Sequence, residues 1–231
     1  MLVTDPKILG LAFLGGIIPS LLWLWFWLRE DENPEPKGLI AFVFIMGMIT
    51  VVAVLPIQKL IQANISSNEG QLILWASAEE LLKYFAVLII LYKTHHANEP
   101  IDWPIYLITA ALGFAALENA LFLIKPFSIN ETTIGLLTGQ LRFLGSTLLH
   151  TISSGIIGIA IGLAFYRGKF AKKLFLFVGI VVAIALHSTF NFFIIRNNGN
   201  DFLQVFAFLW VASIIVMLLF EKVRRIGLDY Y

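Results

Sequence analysis

Glu79, Glu80 and Lys83 lie three and four positions apart inside a long apolar run, a spacing that gathers the three side chains on one helical surface. Lys83 can neutralise one carboxylate and leave the other to share a proton or to activate a water. We read Glu79 as the base and Glu80 as the partner of Lys83, although successive helical residues differ in direction by only about 100°. Further along, His150 sits in a stripe with Arg142, Ser146 and the pair Ser153-Ser154. His187 and Asn191 are four apart, so the asparagine can orient the imidazole or donate to an oxyanion. Glu118 and Asn119 follow a small-residue stretch at 110–116 that lets a neighbouring helix come close. They are expected at or near that contact, either as interhelical hydrogen-bonding groups or as part of a site.

Each of these residues falls in an apolar run of about 20 residues, long enough to cross a bilayer as a helix. Charge at the membrane centre costs about 2.5–3.5 kcal/mol on insertion scales, so several such groups require partners, water or function. Seven runs emerge, at 8–28, 38–60, 71–92, 101–124, 140–166, 172–195 and 201–220. Short polar connections join them, with no internal repeat or soluble domain. The fold expected is an all-α polytopic membrane bundle of about seven transmembrane helices. It forms one integral membrane domain, 1–231, with a motif-bearing core at 71–195. Counted from the span ends at about 1.5 Å per residue, Glu79, Glu118, His150 and His187 lie at about 13, 9, 15 and 12 Å depth. Helices of alternating direction thus deliver them to one slab, in a water-filled cavity that Glu80 shares, with Glu79, His150 and His187 within about 10 Å.

Composition agrees with a membrane protein. The chain is 59% hydrophobic and 13% charged, with mean hydropathy +0.86. A net charge of +1 without a basic stripe argues against nucleic acid as a partner. No cysteine is present, which removes disulfides, thiolate zinc sites and a thiol nucleophile. No cleavable signal peptide is evident, and Trp23, Trp25 and Trp27 mark an interfacial belt at the end of the first run. Arg29, Lys37, Lys93, Arg167, Lys169, Lys172, Lys173, Lys222, Arg224 and Arg225 fall on one side of the bundle. Only Lys7, Lys59, Lys125 and Arg196 fall on the other, which puts the C-terminus in the cytoplasm and the N-terminus outside the cell membrane. Arg142 reads as snorkelling to the interface, the serines as small packing residues, and His95-His96 as a solvated loop. No His-Glu-x-x-His pattern and no nucleophile elbow occur.

Glu79-Glu80-x-x-Lys83, the Gly113-Phe114-Ala115…Glu118-Asn119 segment, His150 and His187-x-x-x-Asn191 stand in the order of the motifs in a known family. The chain resembles the PrsW family of intramembrane proteases, within the wider superfamily of type II CAAX-processing and bacteriocin-immunity membrane proteases. The resemblance covers about residues 79–191. It implies hydrolysis of a membrane-embedded or membrane-proximal peptide bond, in a single-pass anti-sigma factor as one candidate substrate. It also implies that a glutamate activates water while the histidines and Asn191 handle the oxyanion and proton transfers, with Lys83, Glu118 and Asn119 in support. Two versions stay open. Glu79, His150 and His187 supply three ligands to a zinc ion with an open water position, or Glu79 acts unaided as base. With no local ligand pair to constrain a metal, the second version is the reading taken. Two other classes compete: a non-catalytic scaffold of the same fold, like a subunit of gamma-secretase, and a proton-coupled transporter. Transporters usually show repeated halves and broken helices, which this sequence lacks.

Overall fold

The computed structural model describes residues 5–31, 33–94, 96–128, 142–196 and 202–228. Seven helices occupy them: α1 (Pro6–Leu28), α2 (Lys37–Asn64), α3 (Asn68–Thr94), α4 (Asp102–Ser128), α5 (Ser146–Leu163), α6 (Lys169–Arg196) and α7 (Phe202–Leu228). No strand occurs among the described residues. Six of the seven are long and apolar enough to cross a membrane, if α5 is counted from the helical turn that opens at Arg142. The exception is α3. Its 27 residues reach about 40 Å, more than the roughly 30 Å of hydrocarbon, so length is not what sets it apart. Glu79, Glu80 and Lys83 lower its apolarity, and all three are buried within the bundle.

The helices run past the hydrophobic windows that predict them. α4 continues through Lys125 and Pro126 to Ser128, and α7 reaches Leu228. Lys222, Arg224 and Arg225 therefore lie on a helix and not in a tail. Backbone hydrogen bonding continues after the side chains turn polar, so a window on hydropathy stops early. Likewise only residues 65–67 separate α2 from α3. His96 is half-exposed and stands 4.0 Å from Glu35, while His95 lies outside the described residues.

α4 is the centre of the bundle. Its residues are apolar on all sides, and Tyr106, Leu107, Ile108, Ala110, Ala111 and Leu112 are fully buried. Close approach depends on missing side chains. A Cβ on Gly47 of α2 would strike the Ala110 carbonyl, and one on Gly113 of α4 would strike the Phe44 carbonyl, so the two backbones touch reciprocally. On another side a Cβ on Gly158 of α5 would meet the backbone of Pro104. With α2 and α5 held this way, α3 and α6 complete the wall around one end of α4. The start of α3, the end of α4, the start of α5 and the end of α6 all lie at that end. α1 packs on α4, and α7 on α5.

Candidate active site

At that end the walls enclose a cavity of about 590 Å³. Glu79, Glu118, His150 and His187 face it, with Gln58, Trp75, Arg142, Ser146 and Asn191 among the other lining residues. The walls between these groups are apolar, Val51, Val54, Phe114, Leu149 and Phe190 among them. Glu80 does not line the cavity. It is completely buried behind it, which corrects the expectation that both glutamates share the space.

Two linked polar systems meet here. The first is built on α3. Lys83 Nζ donates to Glu80 Oε1 at 2.6 Å, Ser154 Oγ donates to Glu80 Oε2 at 2.6 Å, and His187 Nδ1 lies 2.8 Å from Glu80 Oε1. Glu80 is thereby saturated by an ammonium, a hydroxyl and an imidazole, and both Glu80 and Lys83 have no exposed surface. A carboxylate paired with lysine is an acceptor only, so the proton of the His187–Glu80 contact belongs to Nδ1. His187 Nε2 is then the ring nitrogen that faces Glu79 Oε2, 3.5 Å away. Gln58 Nε2 donates to the other oxygen, Glu79 Oε1, at 2.8 Å. Glu79 Oε2 is buried and makes no hydrogen bond.

The second system joins α4 to α5. Arg142 donates through Nη2 to Glu118 Oε2 at 2.5 Å and through Nε to Asn119 Oδ1 at 2.6 Å. Asn119 Nδ2 donates in turn to Thr147 Oγ1 at 2.8 Å, and Ser146 Oγ donates to Glu118 Oε2 at 3.2 Å. Arg142 also stacks its guanidinium over Phe122 at 3.9 Å. Its guanidinium is thus held at the cavity wall by Glu118 and Asn119. His150 bridges the systems. Its Nε2 is 3.2 Å from Glu118 Oε2 and its Nδ1 is 3.3 Å from Lys83 Nζ. The ammonium can only donate, so Nδ1 accepts and Nε2–H points to the carboxylate. The His150 and His187 rings stand edge to face, 4.9 Å between centroids.

A match across most of the sequence fits this arrangement. The family described as "PrsW family intramembrane metalloprotease" matches residues 35–219. The chain belongs to the PrsW family. Among its relatives, the protease PrsW of Geobacillus kaustophilus (strain HTA426) is 25% identical over 209 residues, covering 87% of this chain and 88% of that one. Protease PrsW of Bacillus subtilis (strain 168) is 27% identical over 202 residues, covering 85% and 89%. Protease PrsW of Clostridioides difficile (strain 630) is 29% identical over 189 residues, covering 78% and 77%. No solved structure matches this one. Membership makes the chain a multi-pass membrane peptidase of a metalloprotease family.

The residues fit a metal. Glu79, His150 and His187 each offer one donor atom, and those atoms lie within 4.8 Å of one another. One carboxylate and two imidazoles form a donor set used by catalytic zinc sites, which keep a fourth position open. More telling, Glu79 Oε2 is buried without a hydrogen bond among the described residues and faces His187 Nε2 across 3.5 Å. Such a gap is stable only around a proton, a water or a cation. His150 is the member whose nitrogens are both engaged, so binding there would displace Lys83 or Glu118 from one of them.

Most residues singled out in the sequence converge: Glu79, Glu80, Lys83, Glu118, Asn119, His150 and His187 through direct contacts, and Asn191 as a lining residue. Glu118 and Asn119 bond to α5, while of the small residues Ala110 and Gly113 meet α2 and Ala116 meets α1. Ser146 and Ser154 are hydrogen-bonding members of the site and not only packing residues. Gln58, Trp75 and Thr147 have no counterpart in the sequence reading. The helical stripe through Ser146, His150 and Ser154 did carry a signal for the serines, since it continues one face on either side of His150.

Proposed function

We propose that this PrsW-family protein cuts its substrate with Glu79 as the group that activates the attacking water. The observation that carries this is the asymmetry of the two glutamates. Glu80 is consumed by Lys83, Ser154 and His187, while Glu79 keeps one buried oxygen without a partner at the wall of the cavity. Glu79 accepts the proton of the water and returns it to the leaving amine, as a general base that becomes a general acid. Glu80 holds His187 by Nδ1 and so keeps Nε2 aimed at Glu79 and the reacting atoms. Asn191, on the same wall, supplies an amide donor for the oxyanion. Glu118, fixed by Arg142 and Ser146, sets the orientation of His150 in the same manner. In the metal version, Glu79, His150 and His187 would instead hold a zinc ion, with Glu79 a ligand and not the base; when bound, the ion would supply Lewis-acid polarisation and a water of pKa about 7.

The substrate in this reading is a membrane-embedded or membrane-proximal segment, with a single-pass anti-sigma factor as the named candidate. The basic residues at the opposite end of the bundle support an external N-terminus, a cytoplasmic C-terminus and a site in the outer half of the membrane. The whole chain acts as one unit, with 71–195 carrying most of the chemistry. The test is purified protein offered a panel of transmembrane peptides, with cleavage positions read by mass spectrometry and the assay repeated under chelator. Cleavage within or beside the apolar segment is expected; activity that survives chelator supports Glu79 as the base, and loss with recovery on adding zinc supports Glu79 as a ligand. Reporter fusions at Lys169 and Tyr231 check the orientation, and both should report the cytoplasm.

A further inference from the structure

We propose that Gln58 is a positioning residue: it fixes the Glu79 carboxylate in the orientation that leaves Oε2 for the reaction. The inference rests on the reading of Glu79 above and adds a residue to it. A glutamate's last torsion is broad, so a carboxylate held by nothing presents either oxygen to the cavity. Gln58 Nε2 removes that freedom by donating to Oε1 at 2.8 Å, and Oε2 is then the oxygen 3.5 Å from His187.

Gln58 is held in turn. Trp75 Nε1 donates to the Gln58 backbone carbonyl at 3.2 Å. Trp75 precedes Glu79 by four residues, one helical turn away on the same face of α3. Two hydrogen bonds from adjacent turns of α3 therefore converge on one residue of α2, one through its backbone and one through its side chain. Residue type matters as well as reach. Lys83 grips Glu80 with a full charge and makes an ion pair of it. The amide of Gln58 is neutral, so it orients Glu79 without neutralising it, as a base requires. A glutamate at 58 would repel Glu79, and a lysine there would make a second closed pair.

The test compares Gln58→Met, which keeps length and packing but has no donor, with Trp75→Phe, which keeps the ring but loses the bond to the Gln58 carbonyl. A transmembrane peptide that the wild-type protein cleaves serves as probe, at equal folded fraction in the same detergent. Gln58→Met should lower kcat by about 10–100-fold with KM changed less than about twofold, the range for a residue that orients a reacting group. Trp75→Phe should lower kcat by less, since it acts through Gln58. In a Glu79→Asp background, where the shortened carboxylate no longer reaches Gln58, Gln58→Met should add less than about a twofold loss. Wild-type kcat in Gln58→Met overturns the proposal, and so does an undiminished loss in the Glu79→Asp background. Glu79→Gln is run alongside: if it cleaves at the wild-type rate, the reading of Glu79 has failed, whereas an inactive Glu79→Gln beside a fully active Gln58→Met rejects Gln58 alone.

Discussion

The protein has two cavities of similar size that share α5 and α6, and they could hardly differ more in chemistry. The one around Glu79 measures about 590 Å³ and the other, between α5, α6 and α7, about 490 Å³. Ile156, Ile159, Leu163, Leu174, Val182 and Ile215 are typical of the second, whose lining is apolar throughout. Leu186 belongs to the apolar cavity and His187, the next residue, to the polar one. The start of α5 and the end of α6 carry the polar groups of the site, and the stretches that line the second cavity, 156–163 and 174–186, are apolar. Volume and helix identity therefore say little about where chemistry happens. What separates the two spaces is whether charged groups are held in each other's reach, since an isolated one in hydrocarbon would be costly.

Five single substitutions would sharpen or break that contrast. The largest effect is expected from Glu79→Gln, which keeps shape and removes the base. Single-turnover cleavage should fall by about 10²–10⁴-fold, and His187→Ala should fall comparably. Activity near wild type in either would make the polar cavity as inert as the apolar one. Next comes Lys83→Met, which strands Glu80 in the interior without its ion-pair partner. Thermal unfolding in detergent should register a loss of about 3–5 kcal/mol, and adding Glu80→Gln should recover most of it. Unchanged stability in the single variant would mean that the Lys83–Glu80 pair is not what offsets burial. Asn191→Ala follows, with kcat expected to drop about 10²–10³-fold and the folded fraction unchanged. A change confined to KM would reassign Asn191 to substrate binding. The smallest effect belongs to Ile215→Ala in the apolar cavity. Ile215 is about half-exposed, so cleavage should stay within about twofold and stability within about 1 kcal/mol. A large loss of cleavage there would show the two cavities to be functionally one.

Much of the fold was legible because hydrocarbon demands length. Seven apolar runs became seven helices, and strict alternation of direction put Glu79, Glu118, His150 and His187 at the same end. Rotation about each helix axis was less legible, as it depends on which faces meet. Gly113 and Glu118 are five residues apart, about 140° around the helix, so the contact with α2 and the site lie on different faces of α4. Gln58 was hidden for another reason. It stands between Ile57 and Lys59 near the end of α2, where a polar residue signals only the approach of the interface. Ser154 was visible in the stripe with His150 but read as packing, because a small residue on a transmembrane helix shows its bonding role only once a carboxylate is found beside it.

The glycine seams bear on how a peptide could reach Glu79 at all. Backbone rests on backbone where α2 and α5 meet α4, which leaves no side chain there to rearrange and makes those three helices a rigid frame. Glu79 rides on α3 and His187 on α6; α6 has its own glycine contact with the frame, Gly179 against Ala160 and Ile157 of α5, whereas no glycine of α3 meets another helix. Any parting of α3 from α6 that widened a doorway between them would also lengthen the 3.5 Å between Glu79 and His187. On the reading of Glu79 proposed above, the spacing of its carboxylate from the imidazole is thus set by how closely α3 and α6 pack.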